Sequence, residues 1–204
     1  RAGRNRIDVQ ALGVYWTTYT DNGAYVDGVL QGSGYDAKAT SDYGTRMTTD
    51  GLGFAASLEA GRAFELGNGW ALEPQAQVMY QVIDFDDGSD PAAAVRFRDV
   101  DSLAARLGAR ARHSGSLGGG LPVSAWLHAN LWHEFRADAV TELSSEAGFI
   151  PFHSDQQGSW YEVGAGISAQ LTPTLSLYGS IGYQKAFSHG IDALDGNLGL
   201  RWNW

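Results

Sequence analysis

The stretch that decides the fold is Leu194-Asp195-Gly196-Asn197-Leu198-Gly199-Leu200-Arg201-Trp202-Asn203-Trp204. Leu194, Gly196, Leu198, Leu200, Trp202 and Trp204 alternate with Asp195, Asn197, Gly199, Arg201 and Asn203. A period of two puts successive side chains on opposite faces of an extended strand, so one face is apolar and the other polar. The same rhythm recurs upstream over 175–183, 161–171, 123–131, 103–111, 72–80 and 52–60. Two further segments, 7–19 and 24–35, read as strands with a looser register, which makes nine in all.

The charges test that reading, because the register of each clear segment follows from its apolar residues alone. Glu59, Glu73, Arg106, Arg110, Arg112, Glu134, Glu162, Asp195 and Arg201 all fall on the polar register. Arg62 is the exception, near a strand end where a long side chain can reach the lipid headgroups. A soluble sandwich would bury bulky, close-packed side chains on its apolar face. Here that face mixes Ala and Gly with Leu, and the polar face carries long charged groups that need water or one another. The apolar face is therefore expected to look outward into lipid.

Composition agrees. The chain has 204 residues, Lys+Arg 14 against Asp+Glu 23 and a net charge of −9, which argues against nucleic acid as a partner. Only 18% of residues are charged, while Gly numbers 27, 44% of residues are hydrophobic and Trp numbers seven. Mean hydropathy is −0.23, and no run approaches the ~18 apolar residues of a transmembrane helix. With no Cys there are no disulfides, thiolate metal ligands or thiol nucleophiles. Arg1-Ala2-Gly3-Arg4-Asn5-Arg6 is no signal peptide.

Connections alternate in length. The breaks are short at Asp21-Asn22-Gly23, Gly67-Asn68-Gly69 and Thr172-Pro173-Thr174, long at about 36–49, 84–100 and 139–157, and middling at 115–122 and 186–192. Outer-membrane barrels have tight periplasmic turns and longer outer loops. Aromatics near strand ends, Phe64, Trp70, Trp160, Tyr161, Tyr183, Trp202 and Trp204, suit an interfacial girdle. The expected fold is all-β, a transmembrane antiparallel β-barrel. Nine strands leave the two ends on opposite sides of a membrane, and antiparallel closure needs an even number, so an odd number of strands is expected before Arg1.

The last eight residues resemble the C-terminal signal that outer-membrane barrels present to the barrel assembly machinery: polar Asn197, then Gly199, then Trp202 and Trp204. Gly13-Val14-Tyr15 with Tyr25-Val26-Asp27-Gly28, Ser57-Leu58-Glu59-Ala60-Gly61, Leu72-Glu73-Pro74-Gln75-Ala76-Gln77 and Asn130-Leu131-Trp132-His133-Glu134-Phe135 together resemble the β-domain of pertactin-type autotransporters. The resemblance runs over essentially all of 1–204, taken as a single translocator domain. It implies a twelve-stranded family fold of which this chain supplies about nine strands, with three strands, a linker helix and the passenger preceding Arg1.

Inside such a barrel the lumen-lining residues would be Asp27, Glu59, Glu73, Gln75, Gln77, Arg106, Arg110, Arg112, Glu134, Glu162 and Arg201. They would form a hydrated mixed-charge wall and pair across strands. Catalysis has a weaker case. His128, His133, His153-Ser154-Asp155 and His189 are the candidates to weigh: His153-Ser154-Asp155 reads as a polar outer loop, and His128 has Asn130 two residues on where a hydrolase would want Ser. Asp84-Phe85-Asp86-Asp87-Gly88-Ser89-Asp90 departs from an EF-hand in the position of its Gly and lacks the twelfth-position Glu. Gly115-Ser116-Leu117-Gly118-Gly119-Gly120 enters a strand and reads as a turn.

The expected function is thus an outer-membrane translocator of a Gram-negative bacterium, integral and monomeric, that anchors an autotransporter and exports its passenger. Its partners would be membrane lipid, the barrel assembly machinery and its own passenger and linker helix, with no enzymatic activity, cofactor, metal or nucleic acid. The alternative is a small barrel of eight or ten strands serving as adhesin, structural protein or envelope enzyme.

Overall fold

The computed structural model describes residues 3–42, 44–90, 93–98, 100–145, 148–155, 157–188, 190 and 192–203. His189 and Trp204, both singled out in the sequence, lie outside them. Nine long strands form one antiparallel path: β1 (Arg4–Tyr19), β2 (Ala24–Thr40), β3 (Arg46–Arg62), β5 (Trp70–Phe85), β8 (Val100–Leu117), β9 (Leu121–Ser145), β11 (Gly158–Gln170), β12 (Leu175–Ala186) and β13 (Asp192–Trp202). Four short strands flank it: β4 (Phe64–Gly67), β6 (Gly88–Ser89), β7 (Ala94–Phe97) and β10 (Gly148–Asp155). Each long strand pairs with its sequence neighbour on the path, as the alternating segments require. Among the described residues β1 pairs only with β2, and β13 only with β12.

The tight turns follow from their residues. Gly67, Asn68 and Gly69 all take positive φ, at 83°, 53° and 79°, a run that only Gly and Asn enter cheaply. Gly69 also sits against the backbone of Ser114, whose N–H donates to the Gly69 carbonyl at 2.8 Å, so the turn is tied to the neighbouring strand.

Among the described residues no large apolar side chain is fully buried, as one would be at the centre of a soluble protein. Leu127, Ile167 and Leu198 are 61%, 52% and 79% exposed, whereas Glu134, Gln75 and Asn130 are only 8%, 8% and 6% exposed. On a curved single sheet, side chains crowd on the concave face and splay on the convex one. The polar register is therefore the crowded inner face, and the apolar register faces out, inverting a soluble protein. Arg62, the apolar-face exception, lays its guanidinium 4.8 Å from the Phe64 ring centroid at the strand end.

The long connections depart from the expected loops. Much of 36–49 belongs to β2 and β3, and much of 139–157 to a hairpin in which β9 runs on to Ser145 and β10 returns beside it. His153, Ser154 and Asp155 thus lie on a strand rather than in a loop. Within 84–100, β6 and β7 pair with each other and bridge from β3 to β9: the Asp86 N–H donates to the Asp50 carbonyl at 2.8 Å, and Val95, Arg96 and Phe97 pair with Leu143, Glu142 and Thr141. Backbone groups at the rim satisfy one another in ladders instead of facing water singly, which is why polar, weakly patterned sequence still becomes strand.

Candidate functional site

The inner face carries a continuous polar belt built from residues at matching heights on successive strands. Cross-strand register sets Asp27 of β2 against Glu59 of β3, Glu59 against Gln77 of β5, and Gln77 against Arg106 of β8. Arg106 reaches over Gln77 and donates through Nη2 to Glu59 Oε2 at 2.6 Å. The Tyr25 hydroxyl donates to Glu59 Oε1 at 2.7 Å and lies 3.2 Å from Glu73 Oε1. Gln75 Nε2 in turn donates to Glu73 Oε1 at 2.6 Å and to the Tyr25 hydroxyl at 2.9 Å. Gln77 Nε2 donates to Ser57 Oγ at 2.8 Å.

Past Arg106 the belt becomes aromatic. The Arg106 guanidinium sits 5.4 Å from the Trp132 ring, and Trp132 stacks on Trp160. Glu162 gathers three donors or near-donors: Trp132 Nε1 at 3.0 Å, Asn130 Nδ2 at 3.3 Å and His128 Nε2 at 3.0 Å. Two anions, Glu59 and Glu162, are thereby each held by neutral donors together with at most one cation. Charge-assisted hydrogen bonds of this kind hold a carboxylate in place better than an isolated surface ion pair does.

Glu134 has a different job. Register slips between Leu103 and Ala104, which pair with Arg136 and Glu134, so Phe135 is an extra residue in β9. A bulge of this sort leaves ladder N–H groups without strand partners. Glu134 Oε1 accepts from the N–H of Leu103 at 2.8 Å and of Arg136 at 3.2 Å, while Oε2 accepts from Ser102 Oγ at 2.7 Å.

All eleven residues read from the sequence as lumen-lining share the inner face by register, but only some of them come together. Arg112 pairs with exposed Glu65 at 3.3 Å. Arg110 and Arg201 are exposed, and among the described residues the buried Oδ1 of Asp27 finds no hydrogen-bond partner. Asn197 of the C-terminal signal donates to Ser180 Oγ at 2.9 Å, and Tyr178 lies across Gly199. Trp160 corrects the girdle expectation. It belongs to the polar face, opposite Trp132, while Phe64, Trp70, Tyr161, Tyr183 and Trp202 take the apolar face. Sequence reading passed over Tyr25, Trp132 and Trp160 in the belt. Their parity with Asp27, Glu134 and Glu162 was the available signal.

The belt depends on glycines of the same face. A Cβ on Gly108 would run into Asn130 Oδ1, one on Gly164 into the His128 ring, and one on Gly61 into the Tyr25 ring. Each long side chain therefore lies flat over a neighbouring strand, in the space that a missing side chain leaves.

Among the described residues the histidines assemble nothing like a hydrolytic triad: His128 and Asn130 share Glu162, and no hydroxyl among them is bonded to His128. His133 Nδ1 lies 2.8 Å from Ser159 Oγ on the apolar face, and its ring packs edge-on against Phe135. Among the described residues His133 has no carboxylate to orient it.

Comparison with known proteins follows the same lines. The profile of the family described as "Autotransporter beta-domain" matches residues 1–182. The chain is 30% identical over 190 residues to the pertactin autotransporter of Bordetella bronchiseptica, covering 90% of this chain and 20% of that protein. It is 28% identical over 203 residues to the adhesin BmaC autotransporter of Brucella suis biovar 1, covering 94% of this chain and 6% of that protein. The chain thus spans a fifth or less of the length of these curated relatives. The crystal structure of the β domain of the Bordetella autotransporter BrkA superposes with a TM-score of 0.73 at 27% identity, covering 98% of this chain and 75% of that one.

Proposed function

Because the chain belongs to the autotransporter β-domain family, we propose that it is the outer-membrane translocator of its protein, anchoring it in the membrane and carrying a passenger to the cell surface. The observation that carries this is the inverted distribution of burial: Leu127, Ile167 and Leu198 stand out from the sheet while Glu134, Gln75 and Asn130 are enclosed by it. An apolar exterior of this extent fits hydrocarbon, and facing it with Arg would cost ~2–4 kcal/mol per residue at the midplane.

The barrel closes through three further strands ahead of β1, which restore an even count and satisfy the free edges of β1 and β13. The inner belt lines the lumen and is non-catalytic. Around Glu59 and Glu162 its carboxylates and donors are turned to one another, so an unfolded chain sliding past that stretch meets few open charges to bind deeply. A linker helix and the passenger occupy that lumen, lipid covers the exterior, and the barrel assembly machinery reads Asn197, Gly199, Trp202 and Trp204. The barrel acts as a monomer.

Expression of the full-length protein in a Gram-negative host tests this. Passenger epitopes should be cleaved by protease added to intact cells, and the β-domain should migrate differently on a gel when unheated. A passenger retained in the periplasm beside a correctly inserted barrel would overturn the export role.

A further inference from the structure

The two faces of the sheet exchange chemistry at the end away from the tight turns. The inward register runs on unbroken along β2 from Asp27 to Tyr35, and Val9 of β1 and Gly51 of β3 lie opposite Tyr35. Phe85 pairs with Gly51, and its ring meets Phe97, which shares a face with Leu143 of β9 and Phe152 of β10. Tyr35, Phe85 and Phe97 make a run of rings with centroids 5.7 and 6.0 Å apart. Here the inward face is apolar, where nearer the turns it is polar. The outward face changes in the opposite sense: Arg6–Asp8, Lys38–Asp36, Arg96–Asp87, Arg98–Glu142 and Arg136–Asp101 are all outward at this end, whereas Arg106–Glu59 and Arg112–Glu65 are inward and nearer the turns.

We infer that this inward apolar patch seats the base of the protein's own exported passenger, the segment adjoining the lumenal linker, through that segment's aliphatic and aromatic side chains. The inference rests on the export role proposed above and names the surface on which the exported part comes to rest. An inner wall that met only water would be polar, as the belt is, yet Val9 and Phe152 are 52% and 54% exposed on this patch. Position selects the occupant. The patch continues the wall of the lumen, so a chain leaving the lumen meets it first. Lipid and a second barrel meet the opposite face, which at this end is ion-paired and not apolar. In the pertactin and BmaC relatives the matching stretch is a fifth or less of the protein, so those chains carry ample further residues of their own.

The shape of the patch sets the form of the contact. Phe85 lies over Gly51 and Tyr35 over Gly53, each in the space of a missing side chain, so the rings make a low floor and not a pocket. A floor of this kind takes the apolar side of a strand or loop, and not one inserted side chain. Seated there, the passenger stands on the barrel as one body instead of swinging on a tether.

Photocrosslinking of the full-length protein displayed on Gram-negative cells reads the result. The photoreactive residue p-benzoylphenylalanine replaces Phe152 on the patch or, as a control, Lys38 on the outward face. Irradiation should join position 152 to a passenger peptide adjoining the linker, identified by mass spectrometry after digestion, and position 38 should give about tenfold less of that product. Phe85→Ser with Phe97→Ser should lower the yield from position 152 about tenfold and let protease added outside clip the passenger base correspondingly faster. Phe152→Asp, at an exposed position, should speed the clipping too, and unchanged clipping in it would overturn the seat. Equal yields from positions 152 and 38, or adducts with lipid or a second barrel, would also overturn it while the passenger still reached the surface. A passenger held in the periplasm beside an inserted barrel would instead overturn the export role, and the seat with it.

Discussion

Trp132 and Trp160 lie face to face, their ring centroids 5.5 Å apart and their planes within 4° of parallel, one strand apart on the inner face. Arg106 approaches Trp132 from one side, and its indole N–H reaches Glu162 on the other. The pair joins the Tyr25–Glu59–Arg106 half of the belt to the Glu162 half.

Trp132→Phe keeps a ring for stacking and loses one hydrogen bond, so it should cost about 1 kcal/mol. Trp132→Ala removes the stack and the Arg106 contact as well and should cost about 3 kcal/mol. Urea unfolding of the refolded barrel in lipid vesicles ranks the two. Equal costs would mean that the stack contributes nothing.

Arg106→Ala leaves Glu59 with only the Tyr25 hydroxyl and should destabilise by about 2 kcal/mol. The Arg106→Met, Glu59→Met double substitution should be milder than the sum of its parts, since no carboxylate is left unpaired. Strict additivity in a double-mutant cycle would rule out the coupling.

Gly108→Ala places a methyl where the Asn130 amide lies and should cost about 1–3 kcal/mol. Asn130→Ser clears that space, so adding it to Gly108→Ala should recover most of the loss. A double variant no better than Gly108→Ala alone would locate the cost elsewhere.

Glu134→Ala strips the acceptor from the Leu103 and Arg136 N–H groups at the bulge and should cost about 1–3 kcal/mol, whereas Glu134→Gln keeps one acceptor oxygen and should cost less. Hydrogen exchange at Leu103 and Arg136 should quicken in the Ala variant alone.

Leu127→Arg tests the outward face. It should lower vesicle insertion stability by about 2–4 kcal/mol, while Arg110→Leu on the same pair of strands should change it by under about 1 kcal/mol. Equal effects would contradict the assignment of faces.

The nine strands and their two faces are legible in the sequence because a period of two is local and survives without tertiary help. Glu59, Glu73, Arg106 and Glu162 keep the register that Leu58, Leu72, Leu107 and Val163 assign. The bulge is not legible. It is one added residue, Phe135, and its cause is a side chain, Glu134, that looks from sequence like any other polar-register acid. Trp160 escaped for a related reason: an aromatic at a strand end suits an interface, and only its pairing with Trp132 shows that it turns inward. The hairpin of β9 and β10 has no alternating pattern to betray it.

The flat-lying side chains have a geometric outcome. Trp126 over Gly166, His128 over Gly164, Asp195 over Gly182 and Tyr178 over Gly199 turn their long axes along the wall. Each such pairing trades a protruding tip for a low profile, so the polar face of the sheet is smoother than the lengths of its side chains would suggest.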